Sequence, residues 1–152
     1  MAQVRKSSSA PADRGKWAEK EVQKFFQAQA DRFAMFSFER LPDARAARGR
    51  FKAMVADFDI ARPGLSAFVE VKETQHDYRI AKDKLEQLPR LRMWSLAGRE
   101  FAVVIYHSEL NKWRIALKDF FGLDGMPASW DLRELPLFDS AEEALRSTGW
   151  FR

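Results

Sequence analysis

A chain of 152 residues without cysteine is long enough for one domain with a real core, and it can form neither a disulfide nor a zinc–thiolate centre, which fits a reducing compartment. It contains no apolar run of leader or membrane-span length, so the expectation is a soluble, cytoplasmic protein that makes no use of a membrane. The formal charge of +4 is polarised: residues 1–16 carry four basic side chains against Asp13, residues 40–52 five against Asp43, and residues 124–143 six acids against Arg133, a distribution that suits one face turned to a polyanion.

Residues 1–15 combine a serine run, a proline and scattered charge without apolar periodicity and read as a flexible basic tail, leaving residues 16–152 as a single domain. From Lys16 onward, Val22, Phe25, Phe26 and Phe33 are spaced for an amphipathic helix, with Glu19 at the border of the apolar stripe and Glu21 turned further toward water. "MFSFERL" alternates as a strand, and "PDARAARGR" is a basic segment punctuated by proline and glycine. "FKAMVADFDIA" predicts a second strand, "RPG" a turn and "LSAFVEVKE" a third strand closing a hairpin. "DYRIAKDKLEQLPRLRMWSLAG" reads as two helical pieces divided at Pro89 and stopped at Gly98. "EFAVVIYHS" and "KWRIALKDF" predict two more strands, followed by a loop-rich stretch to Leu137 and a last helix over "DSAEEALRST". The order predicts a mixed α/β (α+β) domain, a sheet flanked by helices.

Residues two apart on a strand share a face, so the hairpin offers Asp57 and Asp59 from one strand and Glu70 and Lys72 from the other. Pairing those faces would gather up to three carboxylates and a lysine, which is unfavourable unless a cation sits among them. Oxygen donors select a hard ion, Mg²⁺ or Mn²⁺, which keeps waters and binds phosphate; Lys72 would then position or help deprotonate a water for attack on that phosphate. An isolated E-x-K is otherwise an ordinary surface ion pair. The flanking Phe68, Val69 and Val71 and the apolar run 101–106 indicate an inner strand, where charged neighbours need a reason.

In chain order, "GKWAEKE", "ADFDI", "VEVK" and "LEQLPRLRMW" resemble four motifs of the PD-(D/E)XK nuclease superfamily, and within it the Holliday-junction resolvases of phage, archaeal and RecU type. Ala56 stands where that family places a proline before its aspartate, and the resemblance spans residues 15–118. It implies a restriction-endonuclease-like core and a Mg²⁺- or Mn²⁺-dependent endodeoxyribonuclease acting on branched DNA. On the matching positions, Asp57 and Glu70 would hold the ion with the backbone carbonyl of Val71, Glu19 a second ion or the water network, Lys72 would orient the water and Gln87 would assist. Asp57 is preferred over Asp59 because a hydrophobic strand follows it directly, while Asp59 stays open as a surface acid or substitute ligand. The basic residues Arg40, Arg45, Arg48, Arg50 and Lys52 would contact phosphates flanking the cut, giving affinity without sequence readout.

A resolvase cuts two symmetric strands, which implies a homodimer with the Phe-rich helices as candidate surfaces, in a bacterial or phage-infected cell. The alternatives are a repair, restriction or defence nuclease with the same site, and a non-catalytic DNA-binding protein of the same fold. The retained carboxylates speak against the pure binder, which gains nothing from acids beside its groove. His76 stands where it can face the site, His107 reads as structural, and Trp17, Trp94, Trp113, Trp130 and Trp150 read as packing.

Overall fold

A computed structural model of the chain describes residues 10–42 and 54–151. Its first helix, α1 (Pro11–Arg32), begins ahead of the expected Lys16, since proline is tolerated where the first helical N–H has no partner and Asp13 adds favourable charge to the first turn. Arg14, Ala18, Val22, Phe25, Phe26 and Gln29 form its buried stripe. The fully buried Phe26 ring lies 5.2 Å from Phe58 and 6.0 Å from Phe151, so truncation to alanine should cost about 3–5 kcal/mol. Phe25 and Phe26 therefore belong to the core, and exposed large apolar side chains occur at Met35, just after this helix, and at Met93, Trp94 and Leu96 on the next.

Strands β1 (Ser37–Arg40), β2 (Phe58–Arg62) and β3 (Leu65–Thr74) follow one another antiparallel, and Gly64, at φ 82°, closes the β2–β3 turn in a conformation that disfavours a Cβ. The second strand starts at Phe58, later than expected, because pairing with the short β1 ends at Arg40↔Phe58. Strand β5 (Glu100–His107) runs parallel to β3, and β6 (Lys112–Leu117) antiparallel to β5, giving the order β1-β2-β3-β5-β6. Parallel neighbours need a crossover, which passes through helix α2 (Leu88–Leu96).

The helical run expected from Asp77 is interrupted. Arg79–Ala81 form β4 and pair with β7 (Ser129–Asp131) in a separate two-stranded ribbon, and a 3-10 turn over Lys82–Leu85 precedes α2. The partner of β4 lies in the stretch expected to be loop, so no local pattern announces the pair. Strand β6 also stops short of the expected Phe120, because Lys118–Phe121 turn into the short helix α3. Helix α4 (Ala141–Arg146) is capped by Ser140, whose Oγ accepts the Glu143 N–H at 3.1 Å.

Strand β3 has a core on each face. Ala67, Val69 and Val71 pack toward α1 and α4, whereas Phe68 packs with Leu88, Leu91, Phe101 and Val103 on the α2 side. Side chains alternate, so Glu70 and Lys72 fall on the α2 face and Glu73 on the α1 face. Among the described residues, no helix is long and apolar enough to cross a membrane.

Candidate active site

Three carboxylates meet where β2 and β3 part. Val71 donates its backbone N–H to Asp57 Oδ2 at 2.7 Å, which draws the aspartate from the approach to β2 against the middle of β3. The N–H and C=O of one strand residue point to the same edge, so the Val71 carbonyl faces the same gap. Glu70, 4 % exposed, and Glu19, from α1, both lie close enough to Asp57 for its carboxylate to raise their proton affinity.

Carboxylates this close cannot all be ionised, and the shifts follow from that. Burial pushes the Glu70 carboxyl well above its ordinary value of 4.5; the hydrogen bond and charge of Asp57 and the charge of Glu19 add to this, and Lys72 opposes it. Glu19 rises from 4.5 to about 7, by burial first and by the Asp57 charge second, against the Arg40 guanidinium 2.9 Å from its Oε2. The cluster therefore holds protons near neutral pH. Half-buried Lys72 is the cation on the Glu70 face of the strand.

The donor chemistry fits a hard dication. Two carboxylates, Asp57 and Glu70, and the Val71 carbonyl are oxygen donors around one gap, and a cation there would discharge the repulsion that protons now relieve. Among the described residues, no three His, Cys, Asp or Glu side chains form a metal-holding group by themselves, so water or a phosphate oxygen would have to complete the shell.

The other expected residues are placed as follows. Asp59 is committed elsewhere: Arg99 Nη2 lies 2.5 Å from its Oδ1 and the Arg99 guanidinium stacks 4.0 Å over Phe68, so the structure brings Asp57 and not Asp59 to Glu70. Gln87 immediately precedes α2, and its Oε1 accepts from Arg90 at 3.4 Å without a hydrogen bond to Glu19, Asp57, Glu70 or Lys72. Arg40 contacts Glu19 directly, while Arg45, Arg48, Arg50 and Lys52 lie outside the described residues. His76 Nδ1 accepts the Tyr78 and Arg79 N–H groups at 3.2 and 3.1 Å, which employs it in its own turn. His107 is fully buried and structural, its Nδ1 2.7 Å from the His76 carbonyl and its Nε2 3.2 Å from Arg114 Nη1.

Sequence reasoning passed over two sets of residues. Lys16 and Lys20, both exposed, flank Glu19 on α1, and the spacing K-x-x-E-K was the available signal. Arg14 had been counted with the basic tail, yet it is buried and paired with Glu73.

The order β1-β2-β3-β5-β6, with one parallel pair at its centre and helices on both faces, defines a mixed α+β fold. Among solved structures, the chain is similar to Hjc of Archaeoglobus fulgidus, a Holliday junction resolvase from an archaeal hyperthermophile: 16 % identity, a TM-score of 0.52, and 91 % of this chain aligned with 98 % of that one. No family model and no curated protein matches the sequence.

Proposed function

We propose that the chain is a divalent-metal-dependent endonuclease that hydrolyses phosphodiester bonds in branched DNA, a resolvase of the PD-(D/E)XK kind. The observation that carries this reading is the convergence of Glu19, Asp57, Glu70 and Lys72 from α1, the approach to β2 and β3 on one gap. A surface that only bound phosphates would be weakened by buried acids beside it. The similarity in fold to an archaeal resolvase supports the same reading.

Asp57, Glu70 and the Val71 carbonyl would hold Mg²⁺ or Mn²⁺. When bound, the ion supplies positive charge that lowers the pKa of a water and stabilises charge on the phosphate oxygens. Lys72 holds the attacking water through its ammonium and favours the carboxylate form of the neighbouring Glu70 against the shift that burial imposes. Glu19 tunes the same water network, with a proton affinity that Arg40 moderates. Lys16, Lys20 and Arg40 border Glu19 and, with Arg45, Arg48, Arg50 and Lys52, would meet flanking phosphates without reading bases. Two symmetric cuts require two sites, hence a two-fold dimer, for which Met93, Trp94 and Leu96 of α2 supply exposed apolar surface.

The test is cleavage of a synthetic four-way junction beside linear duplex and single strand, with Mg²⁺ and with EDTA. Paired symmetric nicks in the junction that need the metal are the expected result. Equal metal-dependent cutting of all three would keep the site and refute the branched substrate. Tight binding without cutting would refute the nuclease.

A further inference from the structure

We propose that Arg14, Glu73 and Ser108 form a polar latch that fixes the register of α1 against β3 and thereby positions Glu19 over Asp57 and Glu70. This rests on the nuclease reading above for the meaning of that position. Glu73 directly follows Lys72 on β3 and enters the opposite face of the sheet, where α1 packs. Its side chain is 4 % exposed and that of Arg14 3 %, with Arg14 Nε 3.2 Å from Glu73 Oε2, an ion-pair contact out of line for an Nε–H hydrogen bond. Ser108, at the end of β5, donates its Oγ–H to the same Oε2 at 2.6 Å. Lys84 grips the backbone, donating from Nζ to the Glu73 carbonyl at 2.6 Å.

The candidate site is assembled from two separate elements, Glu19 from α1 and Glu70 with Lys72 from β3. Apolar packing between the two, in the core cluster that Ala18 and Val22 share with Val69 and Val71, is non-directional and permits sliding. A buried ion pair adds little net stability once desolvation is counted, but it selects one arrangement. Arg14 lies five residues before Glu19 on a single helix, about 7.5 Å along its axis, so fixing one fixes the other. A displacement of about 1 Å in a reacting site costs on the order of 10²-fold in rate. Arg14, Glu73 and Ser108 are thus positioning residues, remote from the water and the phosphate.

The test uses three variants of the full chain. Glu73→Gln keeps volume and the Ser108 contact but removes the charge, Arg14→Met removes the α1 cation and leaves Lys84 Nζ, 3.9 Å from Glu73 Oε1, and Arg14→Lys keeps a cation on α1. Single-turnover cleavage at saturating junction should fall about tenfold or more in the first two, with junction Kd within about twofold of wild type, while Arg14→Lys stays within about threefold. Amide exchange gives a readout independent of cleavage: the Val71 N–H, held by Asp57, should exchange faster in Glu73→Gln while β5 and β6 amides keep their protection. Unchanged cleavage and unchanged Val71 exchange in folded Glu73→Gln would overturn the latch, and so would uniform loss of protection across the sheet. A wild type that cuts no DNA would remove the nuclease reading, and the exchange data alone would then decide the latch. Should Arg14→Met fail to fold, Glu73→Gln against Arg14→Lys decides it.

Discussion

Two buried polar centres lie along β3 and β5, and they are built on opposite principles. Around Arg114, donors match acceptors: its guanidinium donates to the Leu135 carbonyl at 3.0 Å and to the Asp77 carbonyl at 2.7 Å, and it meets His107 Nε2 at 3.2 Å. Burial lowers the His107 pKa, so the ring stays neutral, donating from Nδ1 to the His76 carbonyl and accepting at Nε2. Around Asp57, acid faces acid: three carboxylates share protons, and Lys72, Arg40 and the Val71 N–H offset only part of their charge. A balanced polar centre is a structural joint; an unbalanced one stores a free energy that a ligand can release.

The largest expected effect breaks the unbalanced centre. Lys72→Ala and Glu70→Gln should each lower junction cleavage by about 10²–10³-fold or more, with DNA binding and far-ultraviolet dichroism preserved. A loss of binding with unchanged cutting per bound complex would contradict their place in the site. Next comes the balanced centre: Arg114→Met leaves the Leu135 and Asp77 carbonyls without their partner and should cost about 2–4 kcal/mol in denaturant unfolding, with cleavage by the folded fraction little changed.

Proton linkage sharpens the comparison. Glu19 binds its proton more tightly folded than unfolded, so the stability this provides is complete below about 4.5 and is lost as the pH climbs through about 7. Metal-free protein should lose melting temperature across that window, Glu19→Gln should flatten the decline, and Mg²⁺ should restore stability at the alkaline end. The smallest effect belongs to Asp59→Asn, which removes a partly exposed pair with Arg99: at most about 1 kcal/mol of stability, and unaltered cleavage.

Much of this was legible because it is local. Strong alternation in β3 and the unbroken apolar run of β5 gave strand identity, and the spacing of Val22, Phe25, Phe26 and Phe33 gave the first helix. Glu70 and Lys72 stood out because charge on an inner strand needs a reason. What escaped was non-local: β4 exists only through its distant partner β7, and the pairing of Asp59 with Arg99, forty residues beyond it in sequence, has no local signature. The same holds for Arg14, whose burial depends on Glu73 and not on its neighbours in the chain.

The most direct measurement is calorimetric titration of Mn²⁺ into the DNA-free protein at pH 7 in buffers of different ionisation enthalpy. If the acid cluster is a metal site held by protons, binding should release protons to the buffer, and both the binding and the release should vanish in Glu70→Gln. Binding without proton release, or binding that survives Glu70→Gln, would contradict the assignment of this cluster as the metal centre.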